Sequence, residues 1–226
     1  MCAANAPSSA DSQSGPGVVS ASLNMAIEDS VVHIIDDDED FLAALHLQLQ
    51  SFGLTVESYF SAEHFLVTYR PRPVECMVLD LRMPGMTGVE LQAVLRQRHW
   101  CPPVVVLSAY TDVADIVRTV KNGAADYLVK PVNEQQLIGQ VCAALDRDRD
   151  NKRRYGQLSM RLARLSTRER EAMDLFLQAQ TTVAVANSLK ISPKTVEKHR
   201  SRIYQKMEVN SIPELIRLVL DVRDKL

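Results

Sequence analysis

Two modules of different class are predicted from this sequence: an α/β unit built on a five-stranded, doubly wound parallel sheet, and a smaller all-α unit behind it. Three observations carry this reading. Between residues 31 and about 146, five short apolar runs alternate with stretches whose apolar residues recur at helical spacing. That alternation is the pattern of a parallel sheet covered on both faces. Each apolar run closes on a polar residue or a turn signal. The charge also changes sign along the chain, from a net of −7 over residues 31–146 to +8 over residues 147–226, so the total of −2 conceals an acidic middle and a basic last third.

The elements follow in order. Val31-Val32-His33-Ile34-Ile35 is the first buried strand and ends in Asp36-Asp37-Asp38-Glu39-Asp40. These acids suit a solvated helix start, where carboxylates favour the helix dipole. Leu42, Leu45, Leu49 and Phe52 then repeat at helical spacing, and Gly53 stops the helix. Thr55 to Tyr59 is the second strand, and Ser61 opens a helix that ends near Pro71. Cys76-Met77-Val78-Leu79 is the third strand, followed by Asp80 and a Pro84-Gly85 turn. Thr87-Gly88 leads into a helix with Val89, Leu91, Val94 and Leu95. Val104 to Leu107 is the fourth strand, ending in Ser108, and its helix carries Val113, Ile116, Val117 and Val120. Asp126 to Val129 is the fifth, closed by Lys130-Pro131, and a last helix starts near Asn133. Right-handed crossovers leave few topologies for such a chain.

Composition fixes the class. Hydrophobic content of 46% and charged content of 24% are those of a soluble globular protein. No apolar run is long enough for a transmembrane helix, and the start lacks the basic-then-apolar pattern of a signal peptide. Cys2, Cys76, Cys101 and Cys142 are far apart and show neither zinc spacing nor a disulfide framework, which fits a reducing cytosol and a cytoplasmic protein. Residues 1–29, rich in Ser, Ala, Gly and Pro, are expected to be disordered, with Met25 a candidate start.

In an open parallel sheet, ligands bind at the carboxyl ends of the strands. There the sequence places Asp36 and Asp37, Asp80, Ser108 and Lys130. Three carboxylates together call for a cation. Mg²⁺ suits them, because it takes oxygen ligands, commonly uses one or two carboxylates with phosphate oxygens, and keeps several waters. Lys130 supplies a positive charge for a phosphoryl oxygen and Ser108 a donor. Asp80 is left as nucleophile for an in-line phosphoryl transfer.

With these residues in place, the chain resembles the receiver domain of two-component response regulators. The resemblance rests on Ile35-Asp36-Asp37-Asp38, Leu79-Asp80-Leu81-Arg82-Met83-Pro84-Gly85, Leu107-Ser108-Ala109 and Leu128-Val129-Lys130-Pro131, in the family's order and spacing over residues 30–146. It implies a CheY-like, flavodoxin-like fold with strand order 2-1-3-4-5. It makes Asp80 the phosphoacceptor and Asp36 with Asp37 the acid pair. Asp37, Asp80 and the Arg82 main-chain carbonyl become Mg²⁺ ligands, Lys130 the phosphoryl contact, and Ser108 with Tyr127 a switch pair. A phosphatase resembling the haloacid dehalogenases is the competing enzyme reading, with Asp36 as nucleophile and Asp38 as acid/base. It leaves Asp80 and its turn unexplained, and Glu39-Asp40 stands where that family has a small pair.

From Asp146 to Arg154 charges of both signs alternate without a proline, which suits a solvated helix continuing the fifth one across residues 147–160. Leu158, Leu162 and Leu165 are too few for a coiled coil and are expected to pack on the next module. In residues 161–226, Ser166-Thr167-Arg168-Glu169 and Ser211-Ile212-Pro213-Glu214 read as capping boxes. Thr182 is expected to cap a short helix to Leu189, and Ser192 a third helix with Pro193 at its first position. That third helix has Val196, Ile203 and Met207 as its buried stripe and a basic opposite face. This module resembles the LuxR-type helix-turn-helix, through Leu165 to Glu171 and Ile191 to Arg200. Thr182-Val183 replaces the Asn-Lys common in the family, which removes a phosphate contact, and Lys190 replaces the usual turn glycine. By position, Lys198 and Ser201 face base edges, and Lys194, Thr195, Arg200, Arg202 and Lys206 face phosphates.

The two resemblances together imply a response regulator of FixJ/NarL-like architecture, not an enzyme. Such a protein takes a phosphoryl group from a sensor histidine kinase, dimerises, and regulates transcription on a pseudo-palindromic operator in double-stranded DNA, with RNA polymerase as a further partner and no membrane. A receiver joined to a module that binds something other than DNA is the remaining alternative.

Overall fold

The computed structural model describes residues 29–97, 101–109 and 112–223. Residues 1–28, including Met25 and all of the expected disordered stretch but Asp29, lie outside them. The five strands are β1 (Ser30–Ile35), β2 (Thr55–Tyr59), β3 (Val74–Leu79), β4 (Val104–Ser108) and β5 (Asp126–Val129). They form one sheet in the order β2-β1-β3-β4-β5, all neighbours parallel. The five helices of the sheet are α1 (Glu39–Ser51), α2 (Ala62–Thr68), α3 (Gly88–Gln97), α4 (Val113–Lys121) and α5 (Glu134–Ala163).

Strand residues alternate between two cores, as the pleat requires. Val32, Ile34, Cys76, Val78, Val105 and Leu107 meet Leu45 and Leu49 of α1 and Leu137, Val141 and Leu145 of α5. Ile35, Met77, Leu79, Val104 and Val106 meet Phe65 of α2 and Leu91 and Leu95 of α3 on the other face. Side-chain oxygens of Asp38, Ser61, Asp112 and Asn133 accept backbone N–H groups at the starts of α1, α2, α4 and α5. These caps satisfy donors that a helix start otherwise leaves unpaired.

β3 begins two residues earlier than its apolar run suggests. Val74 and Glu75 belong to it, and Glu75 is fully buried because ionic partners neutralise it. The apolar stripe on α4 is the larger departure. Val113, Val117 and Val120 are 72%, 44% and 60% exposed, and Thr119 is the buried residue of that helix. Spacing marks an apolar face but not the side on which the sheet lies.

α5 runs unbroken for 30 residues. Leu158, near its end, is in the core of the C-terminal module with Leu165, and Leu162 packs against that core. The module adds α6 (Thr167–Leu177), α7 (Thr182–Leu189), α8 (Pro193–Met207) and α9 (Ile212–Arg223). Val196, Ile203 and Met207 of α8 are fully buried with Phe176, Val185 and Leu215. The Ser166–Glu169 capping box is complete. Thr181, not Thr182, caps α7, while the Thr182 hydroxyl donates to Glu197 at 3.2 Å. The second box is half formed. Ser211 Oγ accepts the Glu214 N–H at 3.3 Å, but the Glu214 carboxylate accepts from the N–H of Asn210, one residue before the cap.

Candidate functional site

The ladder extends one rung past the strand ends, and this sets the site. Asp36 N–H donates to the Tyr59 carbonyl at 3.1 Å, Asp80 N–H to Ile35 at 2.9 Å and Lys130 N–H to Ser108 at 2.9 Å. Asp36, Asp80 and Lys130 are thereby fixed at the carboxyl end of the sheet. Lys130 spans the width of β4, and its Nζ lies 2.5 Å from Asp36 Oδ2 and 3.2 Å from Asp80 Oδ1. The remaining oxygens are held by backbone: Asp36 Oδ1 accepts from Asp38 N–H at 3.1 Å and Asp80 Oδ2 from Arg82 N–H at 2.6 Å.

Asp36 and Asp80 are both buried, at 4% and 7% exposure. Burial raises the Asp80 carboxyl above its ordinary value; Lys130 and the Arg82 N–H oppose this, and Asp36 adds to it. Burial lowers Lys130, but its bonds to Asp36 and Asp80 outweigh this and hold it above the usual lysine value, so it stays charged. One ammonium thus serves two carboxylates.

Ser108 is fully buried at the end of β4, and Tyr127 is half-buried against the core of Met77 and Val106. Arg82 is exposed, with its guanidinium 3.5 Å from Asp115 of α4. Asp37 is exposed, in the turn between Asp36 and the Asp38 cap. Among the described residues no three His, Cys, Asp or Glu side chains converge into a ready-made metal cage. Two buried carboxylates sharing one ammonium remain an oxygen-rich, anionic donor set, and Mg²⁺ needs only one or two carboxylates beside its waters. The residues fit that ion.

Two supporting residues escaped the sequence reading. A Cβ on Gly88 would lie 2.2 Å from the Asp80 carbonyl oxygen, so only glycine fits behind Asp80. Glu63 of α2 accepts the Met86 N–H at 2.7 Å and ties down the loop after Asp80. The Gly88 signal was its place, eight residues after the aspartate; nothing local marked Glu63.

The second candidate surface is α8. Lys194, Lys198, Ser201 and Arg202 are exposed on the face opposite the buried stripe. Among the described residues no ion pair engages Lys194, Lys198 or Arg202. Arg200 is 2.5 Å from Glu197, and the Thr195 hydroxyl bonds Ser192. Lys206 is ion-paired: its Nζ lies 2.6 Å from the buried Glu169 of the capping box. Lys190 is left-handed, at φ 55°.

Comparison with known proteins matches each module to a family. Residues 32–142 match the response regulator receiver domain and residues 163–219 the bacterial regulatory proteins of the luxR family. The chain is 35% identical over 206 residues to the response regulator protein TodT of Pseudomonas putida, covering 90% of this chain and 91% of that one. It is 38% identical over 192 residues to the transcriptional regulatory protein FixJ of Azorhizobium caulinodans, covering 84% and 91%. The solved structure of the response regulator StyR superposes with a TM-score of 0.56 at 34% identity, covering 85% of this chain and 99% of that one.

Proposed function

Since the chain belongs to the two-component response regulators that join a receiver to a LuxR-type DNA-binding domain, a family of transcriptional regulators, we propose that Asp80 is its phosphoacceptor and that phosphorylation controls DNA binding through α8. The observation that carries this is the buried Asp80 carboxylate, held by the Arg82 N–H and bridged to Asp36 by Lys130. An Asp80 oxygen attacks phosphorus in line as the bond to the kinase histidine breaks. Lys130 then bonds a phosphoryl oxygen, and the Ser108 hydroxyl donates to another. Asp36, Asp37, Asp80 and the Arg82 carbonyl would hold Mg²⁺, which supplies charge neutralisation when bound.

A phosphoryl group adds about −1.5 to −2 charges near neutral pH. Drawing Ser108 toward it opens space beside β5 for Tyr127 to turn inward. That reshapes the surface of α4, β5 and α5, where Val113, Val117, Val120 and Val129 are exposed. An apolar patch of this kind suits a partner copy. A dimer on a pseudo-palindrome doubles the contacts one module can make. The site of action in this reading is the cytoplasm, and a promoter-bound dimer has RNA polymerase as its next partner.

The test joins both modules. Incubation with acetyl phosphate and Mg²⁺ should add one acid-labile phosphoryl group, lost in Asp80→Asn and in excess EDTA. Phosphorylated protein should sediment as a dimer and bind the DNA flanking its own gene more tightly. Labelling that survives in Asp80→Asn moves the nucleophile to Asp36. If the last module instead binds a partner other than DNA, its binding should show no counterion-release salt slope.

A further inference from the structure

The Lys130 ammonium has a third neighbour that the phosphoryl-transfer reading leaves unused. It lies 4.0 Å from the centroid of the Phe41 ring and over its face. Phe41 is in the first turn of α1, and its N–H donates to the Asp38 cap at 3.0 Å. The side chain is half-buried and packs against the core beneath. The cap thus fixes the Phe41 backbone, and the core packs against its side chain.

Packing alone would need only an apolar side chain of this size. The face-on placement over a charged nitrogen adds an attraction that leucine lacks, because an aromatic face carries negative charge density. Lys130 is 19% exposed, so little water competes for its ammonium. Its partners must also change during the reaction. Before transfer it bridges Asp36 and Asp80; afterwards it serves a phosphoryl oxygen, and the short bond to Asp36 has to loosen. Attraction to a ring face is broad in direction and persists while ion pairs exchange.

We propose that Phe41 is a positioning residue for phosphoryl transfer. Its ring stabilises the Lys130 ammonium beside Asp80 as that ammonium passes from carboxylate to phosphoryl oxygen. The proposal rests on Asp80 being the phosphoacceptor. With acetyl phosphate as donor, the Asp80 O–P bond forms, the donor's O–P bond breaks and acetate leaves.

The experiment uses the full chain with Phe41→Leu, Phe41→Tyr and Phe41→Trp. At saturating Mg²⁺, Phe41→Leu should be phosphorylated about 2- to 30-fold more slowly, the range of a cation–π contact. The Tyr and Trp variants should stay near wild type. Mg²⁺ affinity by calorimetry should be the same in all four, since the ring offers no oxygen ligand, and equal urea midpoints confirm folding. The Lys130 ε-methylene protons should show an upfield ring-current shift by NMR in wild type, kept in Phe41→Tyr and lost in Phe41→Leu. Equal rates in wild type and Phe41→Leu overturn the proposal, as does slowing that Tyr and Trp fail to rescue. A wild-type chain that takes no phosphate overturns the Asp80 reading instead, and the NMR shift then judges Phe41 alone.

Discussion

A carboxylate buried beside another carboxylate opposes folding, and Asp80 is such a group. Its folded-state pKa lies above the unfolded one, chiefly through burial, with Asp36 contributing. A raised acid is stabilising only while protonated, so the ionised form at neutral pH costs stability and that cost fades as pH falls. Asp80→Asn removes the charge, keeps an oxygen for the Arg82 N–H and leaves Lys130 paired with Asp36. It should raise the melting temperature at pH 7, with a gain of about 0.5–2 kcal/mol, and the gain should shrink in acid. A lower melting temperature for Asp80→Asn would show that the Lys130 bridge outweighs the repulsion. Gly88→Ala tests the opposite side of the same residue. Its Cβ would sit 2.2 Å from the Asp80 carbonyl oxygen, so backbone must shift. A loss of at least about 1–3 kcal/mol is expected from urea midpoints.

Helix ends show what can be read locally and what cannot. Two residues hold left-handed backbone at helix C-caps, Lys190 at φ 55° after α7 and Glu208 at φ 58° after α8. Left-handed backbone costs an L-residue about 1–2 kcal/mol, and glycine escapes it at an entropic cost in the unfolded chain. Lys190→Gly should therefore stabilise the module by about 0.5–1 kcal/mol. Glu208→Gly should not, because the Glu208 carboxylate accepts from Arg161 of α5 at 2.6 Å. Thermal melts of the two variants decide this, and equal gains would remove any role for the Arg161 pair. The turn after α7 was legible because a helix stop is written in a few residues. The strand ends carrying Asp36, Asp80 and Lys130 were legible for the same reason: a buried parallel strand reads as an apolar run, and its polar end marks the site. Phe41, Glu63 and the exposed α4 stripe were not, since each depends on which surface the fold brings opposite. Glu214 reached past its expected partner for a similar reason, since the turn brings the Asn210 N–H within 2.7 Å of its carboxylate.

At the scale of the whole molecule, α5 is one helix shared by two cores, with Leu145 in the sheet and Leu158 in the C-terminal module. Between them the helix is fastened by charge. Asp148, 2% exposed, accepts the Glu75 N–H at 2.9 Å and lies 2.8 Å from Lys152 Nζ. Lys152 also donates to the Arg72 carbonyl at 2.7 Å and to Glu75 Oε1 at 3.2 Å. Glu75 receives the Tyr69 hydroxyl at 3.1 Å and lies 3.1 Å from His33 Nε2. The Tyr59 hydroxyl donates to Glu57 at 2.8 Å and lies 3.2 Å from His33 Nδ1, which ties β2 into the same network. Burial raises Glu75, but His33 and Lys152 outweigh it and hold the carboxyl below its ordinary value of 4.5. A depressed acid contributes stability above its unfolded value that is lost as pH falls through the folded one. Burial leaves Asp148 raised, with the opposite sign, so the acid loss comes from Glu75. Lys152→Met strands two buried carboxylates. Breaking a fully buried pair costs about 3–5 kcal/mol, and discounting for the partial exposure of Lys152 leaves about 2–3 kcal/mol. Arg168→Ala, at an exposed pair with Glu171, should cost under about 0.5 kcal/mol. Amide exchange over residues 146–156 should quicken in Lys152→Met alone, because the lysine holds the helix between its two cores. If Lys152→Met matched Arg168→Ala in both urea midpoint and exchange, the charged fastening would contribute nothing and the helix would be held by its apolar faces only.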